Sequence, residues 1–520
     1  MTSPELRTKS LRLTPLAACL TLALSVSASS DPVFSAPRQA GVAAPNALPI
    51  SQRVRRMGEG FLRIQQERLA HGRAKARDVP PRPAGSVAVT SCDDDGPGTL
   101  RDVVANAVDG DTVDLTALTC STITLLTGGI AVNVDNLSVV GPGATALTID
   151  ANAGGTAFDH YGDAGYGTLS ISGLTMTNGY FADVGGGGIW TGGGGSVVLT
   201  DSVVSNSSSI GKYASGGGIF SSGNVTLTNS TVSGNLADSS KYDGVGAGVY
   251  AGGSVTIVNS TISGNTARSN GSYSYEGTYY YGAGIGGGVA AAGAITISNS
   301  TISGNEASYG GGVAGPVSTI NNSTITLNTV NDGNSSGSYG SEGGGVIVFN
   351  IGYTYGVDGV AGAGALLTLN SAIVFGNSGS GATYGADLGG PDVVVSGANN
   401  LVGSSTAPLP AGTLSTDPLL GPLANNGGPT LTHALGAGSP ALNTGNNVAG
   451  LSTDQRGGAF VRVSGTAADI GSFEVQAAGG PDPTPAVAVP TMSTWALALL
   501  AGLLGLFGWR RGLVGAERRK

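Results

Sequence analysis

NSTVSGN, at Asn229–Asn235, returns as NSTISGN at Asn259–Asn265 and again at Asn299–Asn305. Looser copies are NSTITLN at Asn322–Asn328 and NSAIVFGN at Asn370–Asn377, and DSVVSNS at Asp201–Ser207 leads them in. A second phrase runs in step with it: GGGIW ending at Trp190, GGGIF at Phe220, GAGVY at Tyr250, then GGGV ending at Val289, Val313 and Val346. Two phrases alternating at steps of roughly 23–50 residues mark a stacked repeat, in which each unit buries its apolar face only against its neighbours.

Within one copy, Val225 and Leu227 alternate with Thr226 and Thr228, the period of two of a half-buried strand. The next apolar residue, Val232, is offset by an odd number of positions, so a corner at Asn229 must turn the chain before Val232 can face inward. Val255, Ile257, Asn259 and Ile262 repeat the offset, as do Ile295, Ile297, Asn299 and Ile302. Stacking such coils predicts a ladder of side-chain amides at Asn229, Asn259, Asn299, Asn322 and Asn370. At about 4.8 Å per coil, roughly ten to twelve coils make a rod about 50–60 Å long. The composition agrees: 90 of 520 residues are Gly and only 11% are charged. A disordered Gly/Ser/Asn-rich chain would lack the regularly placed Val and Ile.

This pattern resembles the right-handed parallel β-helix of the pectate-lyase-like superfamily, in the low-complexity form of bacterial surface proteins. The resemblance implies an all-β, right-handed solenoid with a capped N-terminus, and it carries the handedness. Ser91–Leu115 (SCDDDGPGTLRDVVANAVDGDTVDL) resembles the N-terminal cap of such folds, with a short helix beginning near Thr99. Asp417–Asn447, then Thr453–Gly457 (TDQRG) and Ala468–Glu474 (ADIGSFE), resemble the choice-of-anchor Q domain, which sits ahead of surface-anchoring tails.

The two ends read as addresses. Residues 1–28 have a basic start, an apolar stretch Leu16–Val26 and small residues before a cut after Ala28, the layout of a secretory signal peptide. At the other end, Val489-Pro490-Thr491-Met492 with Trp495 precedes an apolar run, Ala496–Trp509, closed by Arg510 and Arg511. That layout resembles the IPTL-CTERM class of bacterial sorting signals. It implies a membrane-spanning helix with a cytoplasmic basic tail, recognised by a sorting transpeptidase of the exosortase type. A plain membrane anchor is the alternative. The organisation expected is a signal peptide (1–28), a basic linker or pro-segment (29–85), an N-terminal cap (86–125) and β-helix repeats (126–400). A choice-of-anchor Q-like domain (401–476), a Pro-rich spacer (477–490) and the sorting signal (491–520) complete it.

The formal net charge is −9. The basic residues concentrate before the repeats, at Arg53, Arg55, Arg56, Arg63, Arg68, Arg73 and Arg77. Between Ser86 and Pro490 the cations are Arg101, Lys212, Lys241, Arg268, Arg456 and Arg462 alone, which argues against nucleic acid as a partner. Cys92 and Cys120 form an even pair in an exported chain, and a disulfide across the cap is expected.

Folds of this class often carry polysaccharide lyases, which need an acidic Ca²⁺ cluster with an Arg or Lys base, and glycosidases, which need a carboxylate pair. No such constellation is legible. Asp238, Lys241 and Asp243 come closest and read as a solvated loop; Asp93-Asp94-Asp95 is the one run that could take Ca²⁺, and no metal or other cofactor is expected. The best recognition candidate is Ser269–Gly282, a loop with Tyr273, Tyr275, Tyr279, Tyr280 and Tyr281, whose rings could stack on sugars or cover apolar surface. The expected function is a non-catalytic, surface-displayed rod for adhesion or binding of extracellular polysaccharide. A polysaccharide lyase or glycoside hydrolase is the alternative.

Overall fold

The computed structural model describes residues 82–477 except 163–165, 184, 276–277, 332–342, 349–364, 380–386 and 391–392. The signal peptide, most of the basic stretch, the spacer and the sorting signal lie outside the described residues.

The chain winds through four parallel sheets, of 11, 10, 7 and 9 strands, met in that order along one coil. The coil of the quoted phrase shows the path. Val225–Thr228 belongs to the first sheet, Thr231–Ser233 to the second, Leu236–Ser239 to the third and Val249–Ala251 to the fourth; Val255–Val258 then re-enters the first. Every neighbour within these sheets is the strand one coil away, the signature of a parallel β-helix. Apart from one short helix, α1 (Leu100–Ala105), the described elements are strands.

Register carries the core. In the first sheet Leu199, Leu227, Ile257, Ile297 and Ile320 stack one above another, and in the second Val204, Val232, Ile262, Ile302 and Ile325 do the same. All are buried. The third sheet packs a row of small residues inward, Ala237, Ala267 and Ala307, which narrows the coil there.

The repeated phrase makes two corners. Asn229, Asn259, Asn299 and Asn322 take left-handed backbone, with φ of 50°, 51°, 54° and 43°. Asn tolerates that region because its short polar side chain bonds locally. At the last copy the corner is Ser371, with φ 50°, while Asn370 ends the preceding strand opposite Asn321. The corner keeps its register there, but the phrase runs to eight residues, Asn370–Asn377, against seven in Asn229–Asn235, so its first Asn falls on the last position of the strand. The first-corner amides bond in pairs, Asn229 Nδ2 to Asp201 Oδ1 at 3.1 Å and Asn299 Nδ2 to Asn259 Oδ1 at 2.9 Å, and one position before the corner Asn370 Nδ2 bonds Asn321 Oδ1 at 3.0 Å. Asn322 donates instead to Asn446 O.

The continuous ladder lies at the second corner, on the last Asn of each phrase. Asn235 Nδ2 donates to Asn265 Oδ1 at 2.9 Å, Asn265 to Asn305 at 2.8 Å, Asn305 to Asn328 at 2.9 Å and Asn328 to Asn377 at 2.9 Å. Each Oδ1 also accepts the backbone N–H of the Asn one coil earlier, and each Nδ2 also donates to a backbone carbonyl such as Ile262 O. Both donors and both acceptor sites of these buried amides are therefore used, which such a network requires. Beneath it a second row does the same with hydroxyls: Ser230, Ser260 and Ser300 Oγ each accept the Ser N–H of the coil before and donate to the carbonyl two residues back.

The ladder has a direction, every amide donating toward the C-terminal end, and it stops on an acceptor-only group. Asp387 Oδ1 accepts from Asn377 N and Nδ2 at 2.9 and 2.8 Å, and Oδ2 accepts from Ser404 Oγ at 3.0 Å. Burial pushes the Asp387 carboxyl above its ordinary value, against the pull of these donors. A raised folded pKa contributes stability that is full below the unfolded pKa and is lost as pH rises through the folded one. Asp387→Asn keeps the Oδ1 acceptor and removes the charge. We expect its stability relative to wild type to be greatest near pH 7 and to shrink as pH falls toward 4, read by urea unfolding at each pH. A difference that stays flat across this range would contradict a strained carboxylate.

The glycine phrase has its own geometry. Trp190, Phe220 and Tyr250 stand in register on the outer face of the fourth sheet, with Trp190–Phe220 and Phe220–Tyr250 ring centroids at 6.3 and 5.3 Å. Trp190 and Phe220 are nevertheless buried, packed in one aromatic cluster with Tyr161, Tyr213 and Tyr250, and the glycine-rich segment before each strand lies close against that strand's own aromatic residue. At Gly246, with φ 58°, a Cβ would meet Val249 O at 2.5 Å and Tyr250 at 2.9 Å. Only a residue without a Cβ fits this double constraint of backbone angle and close approach.

The N-terminal end is closed by α1, whose Leu100, Val103 and Val104 are buried and whose N-cap, Thr99, accepts from Asp102 N. Cys92 and Cys120 are joined by a disulfide. Ser86–Ala88 and Asp111–Asp114 are already strands of the first sheet, so the cap and the first coils share residues.

Candidate functional site

Two places on the described surface gather chemistry-bearing side chains, and they differ in access. The first lies where the chain, after the last second-sheet strand at Leu401–Val402, turns back along the outside of the rod. Residues 416–477 form a strap across the coils whose corners are Asn259, Asn299, Asn322, Ser371 and Asn399. Thr430 Oγ1 donates to Asn259 O, Asn299 Nδ2 to Thr453 O, Asn322 Nδ2 to Asn446 O, Gly471 N to Ser371 O and Asn399 Nδ2 to Thr444 O. The strap covers outward threonines of the second sheet. Thr301 Oγ1 bonds Gln455 Oε1 at 2.6 Å, Gln455 Nε2 reaches Thr261 Oγ1 at 2.9 Å, and Thr324 Oγ1 accepts from Ser472 N at 3.1 Å.

Inside the strap, two cations and three acids are buried together. Arg456 pairs with Asp454 and also donates to Glu474 O, while its guanidinium lies 3.8 Å from the ring centres of both Phe460 and Phe473. Arg462 pairs with Glu474 at 2.9 Å and donates to Gly471 O and Asp469 O. Burial raises the Asp469 and Glu474 carboxyls, and it lowers the Arg462 guanidinium. This is the largest concentration of charge among the described residues, yet each of the five residues is at most 3% exposed. No polymer can reach it. It is a fastening of the strap, to which the TDQRG block gives Asp454 and Arg456, the ADIGSFE block Asp469 and Glu474, and the segment between them Arg462.

The two histidines among the described residues are likewise structural. His433 accepts from Ser303 Oγ at Nε2 and donates from Nδ1 to Gly421 O at 2.7 Å; His160 donates from Nε2 to Val134 O and Asp135 O. Burial lowers the pKa of both, which keeps them neutral. Asp94, the middle of the acidic run in the cap, pairs with Arg101, and its other oxygen accepts Leu126 N, Thr127 N and Thr127 Oγ1. Its oxygens are committed to holding the cap, and no cluster of three potential metal ligands occurs among the described residues.

The second place is solvent-facing, at the turn from the third sheet toward the fourth. Ser272–Tyr275 and Thr278–Tyr281 pair as an antiparallel hairpin, setting Tyr273 opposite Tyr280 and Ser274 opposite Tyr279. Of the five tyrosines proposed from the sequence, Tyr281 has a described side chain, half-buried; those of Tyr273, Tyr275, Tyr279 and Tyr280 lie outside the described residues. The hairpin's base rests on the coil below. Ser269 Oγ donates to Tyr242 O, and Gly271 sits so close to Lys241 that a Cβ there would meet its backbone at 2.2–2.5 Å.

That coil carries what the sequence reading overlooked. Lys212-Tyr213 and Lys241-Tyr242 are the same dipeptide one coil apart. Tyr213 and Tyr242 stack with ring centres 4.4 Å apart, and Lys241 Nζ lies 5.2 Å from the Tyr242 ring centre. The neighbouring charges are not the solvated trio expected. Asp238 pairs with Arg268 across the third sheet at 2.7 Å, and Asp243 is buried because it accepts the Ala283 N–H at 2.7 Å. By contrast the outer face of the first sheet is an uncharged row, Thr226, Thr256, Thr296, Thr319 and Thr368 in register.

Among the described residues no helix is long and apolar enough to cross a membrane. No curated protein and no solved structure matches the chain. Residues 487–519 match the IPTL-CTERM motif, a C-terminal sorting signal of the kind processed by an exosortase-type system, which marks the chain for the cell surface or the extracellular space.

Proposed function

We propose that this chain is an exported, cell-surface-anchored β-helix without catalytic activity that binds extracellular polysaccharide, in adhesion or in an extracellular matrix. The observation that carries this reading is the placement of charge. The clustered carboxylates and their arginines are sealed within the strap, whereas the outward-facing candidates are the exposed Lys212 and Lys241, the half-buried Tyr213 and Tyr242 and rows of threonine. Cleavage of a glycan needs carboxylates or a metal-bound base in contact with the sugar; binding needs rings, hydroxyls and charges on a rigid frame. The sorting motif supports surface display, and the resemblances to pectate-lyase-like β-helices and to choice-of-anchor Q segments are consistent with a displayed rod. The right-handed sense, the signal peptide and the C-terminal spanning helix belong to the same reading, as do the tyrosines of the hairpin as a ligand contact.

The test is incubation of the purified chain with bacterial and plant polysaccharides, with and without Ca²⁺. New reducing ends, unsaturated uronate absorbance and polysaccharide pulled down with the protein are followed together. Retention of some polysaccharides without turnover is the expected result. Turnover on any substrate would replace this reading with a lyase or glycoside hydrolase.

A further inference from the structure

We propose that Lys212, Tyr213, Lys241 and Tyr242 form a binding site for the tetrahedral oxyanion of a sulfated or phosphorylated glycan. Residues 82–477 contain seven cations. Arg82, Arg101, Arg268, Arg456 and Arg462 are each paired with a carboxylate, at Asp111, Asp94, Asp238, Asp454 and Glu474. Lys212 and Lys241 have no ion pair among the described residues, and both are exposed. In an acidic rod, the positive charge left unneutralised is thus confined to one spot.

The spot is also organised. Tyr242 N donates to Lys212 O at 3.1 Å, which locks the two Lys-Tyr dipeptides in step, and the Lys241 ammonium stands beside the stacked phenols. Burial alone would raise the Tyr242 phenol, but hydrogen bonds with Tyr213 and Lys241 and the charges of Lys241 and Lys212 outweigh it and lower the pKa. Both lysines therefore bear on the Tyr242 phenol. Two of the acids nearby are engaged elsewhere, Asp238 with Arg268 and Asp243 on Ala283 N, while Asp183 borders the site and accepts the Lys212 backbone N–H at 2.7 Å.

The residue types select the anion. Lysine binds phosphate-like groups as a point charge and lacks the fork that fixes a planar carboxylate in two parallel bonds, and a tetrahedral ester offers separate oxygens to two ammoniums and to phenol hydroxyls. The hairpin base directly above Lys241 gives the site a wall, on which the attached sugar would rest.

This inference rests on the polysaccharide-binding reading and narrows it. The experiment uses the full chain with dextran sulfate, a phosphorylated mannan, polygalacturonate and neutral dextran, with Kd measured across a salt series. The two esterified polymers are expected to bind at least tenfold more tightly than the other two. Because Arg53 to Arg77 also carry positive charge, the decisive comparison is Lys212→Ala/Lys241→Ala. It should lose at least tenfold for the esters and show a shallower salt slope, while Arg268→Ala changes little. The thermal midpoint should not move, since both side chains are exposed. Ester binding unchanged in the double variant overturns the site but leaves the broader reading intact. Polygalacturonate bound as tightly as the esters overturns the choice of anion, and no binding of any polymer overturns both.

Discussion

Asn305→Ala is expected to destabilise the chain by about 3–4 kcal/mol, against roughly 1–2 kcal/mol for Asn229→Ala, although both residues are invariant letters of the same phrase. Asn305 is fully buried. Its Oδ1 accepts Asn265 N and Nδ2, and its Nδ2 donates to Asn328 Oδ1 and Ile262 O. Truncation leaves the Asn265 N–H with no acceptor and three other groups one bond short. Each buried orphan costs about 1–3 kcal/mol, and the sum is not additive because the coil can relax. At Asn229 the side-chain bond to Asp201 is exposed and water replaces it, leaving mainly the cost of Ala in left-handed backbone. Urea unfolding of both variants, followed by far-UV circular dichroism, checks the contrast. A solenoid can also lose cooperativity at a weakened interface, so a split transition for Asn305→Ala counts as the same effect. Equal shifts for the two variants would show that the ladder is no stronger than the corner.

That contrast shows what the phrase discloses and what it hides. The stacked parallel strands are legible because Val225, Leu227 and Val232 break a period of two at a fixed place, and any chain doing so repeatedly must turn there. Which asparagine is buried is not legible from the phrase. Asn229 and Asn235 are equally regular, and only the path of the second corner turns one outward and the other inward. The Ser371 corner is hidden for a related reason, since the extra residue of the last phrase shifts its first Asn off the corner and onto the end of the strand.

The candidate site was written in the sequence but not in its arithmetic. Read singly, Lys212 and Lys241 are lone charges in loops. The register Gly211 to Ser239 across the third sheet brings the two Lys-Tyr dipeptides together. The strap's ion pairs needed more still. Asp454 and Arg456 are close in sequence, but the placing of Glu474 between Arg456 and Arg462 depends on a turn that no local pattern announces.

Arg456→Met is expected to cost about 3–5 kcal/mol and to release the strap while the coils beneath stay folded. The guanidinium is 3% exposed, and it satisfies Asp454 Oδ1 and Oδ2, Asn426 O and Glu474 O while lying between two aromatic rings. Methionine replaces the packing against Phe460 and Phe473 but none of the charge. Asp454 would then be a buried carboxylate held by Glu474 N and Arg456 N alone, within a cluster that already carries one acid more than it has cations. Breaking a buried pair from one side costs far more than exchanging both partners for apolar groups, so Asp454→Leu/Arg456→Met should recover part of the loss. Strap release is distinguishable from general unfolding. Hydrogen exchange should quicken in residues 416–477 and at Thr261, Thr301 and Thr324 of the second sheet, whose hydroxyls lose Gln455 and Ser472. The Asn ladder amides should remain protected, because their partners are one coil away and not in the strap. Proteolysis would then cut between 416 and 477 first, separating the rod from the sorting signal that follows. If the ladder amides exchanged as fast as the strap, the two would be one cooperative unit, and the strap would be a part of the fold's core rather than a fastening upon it.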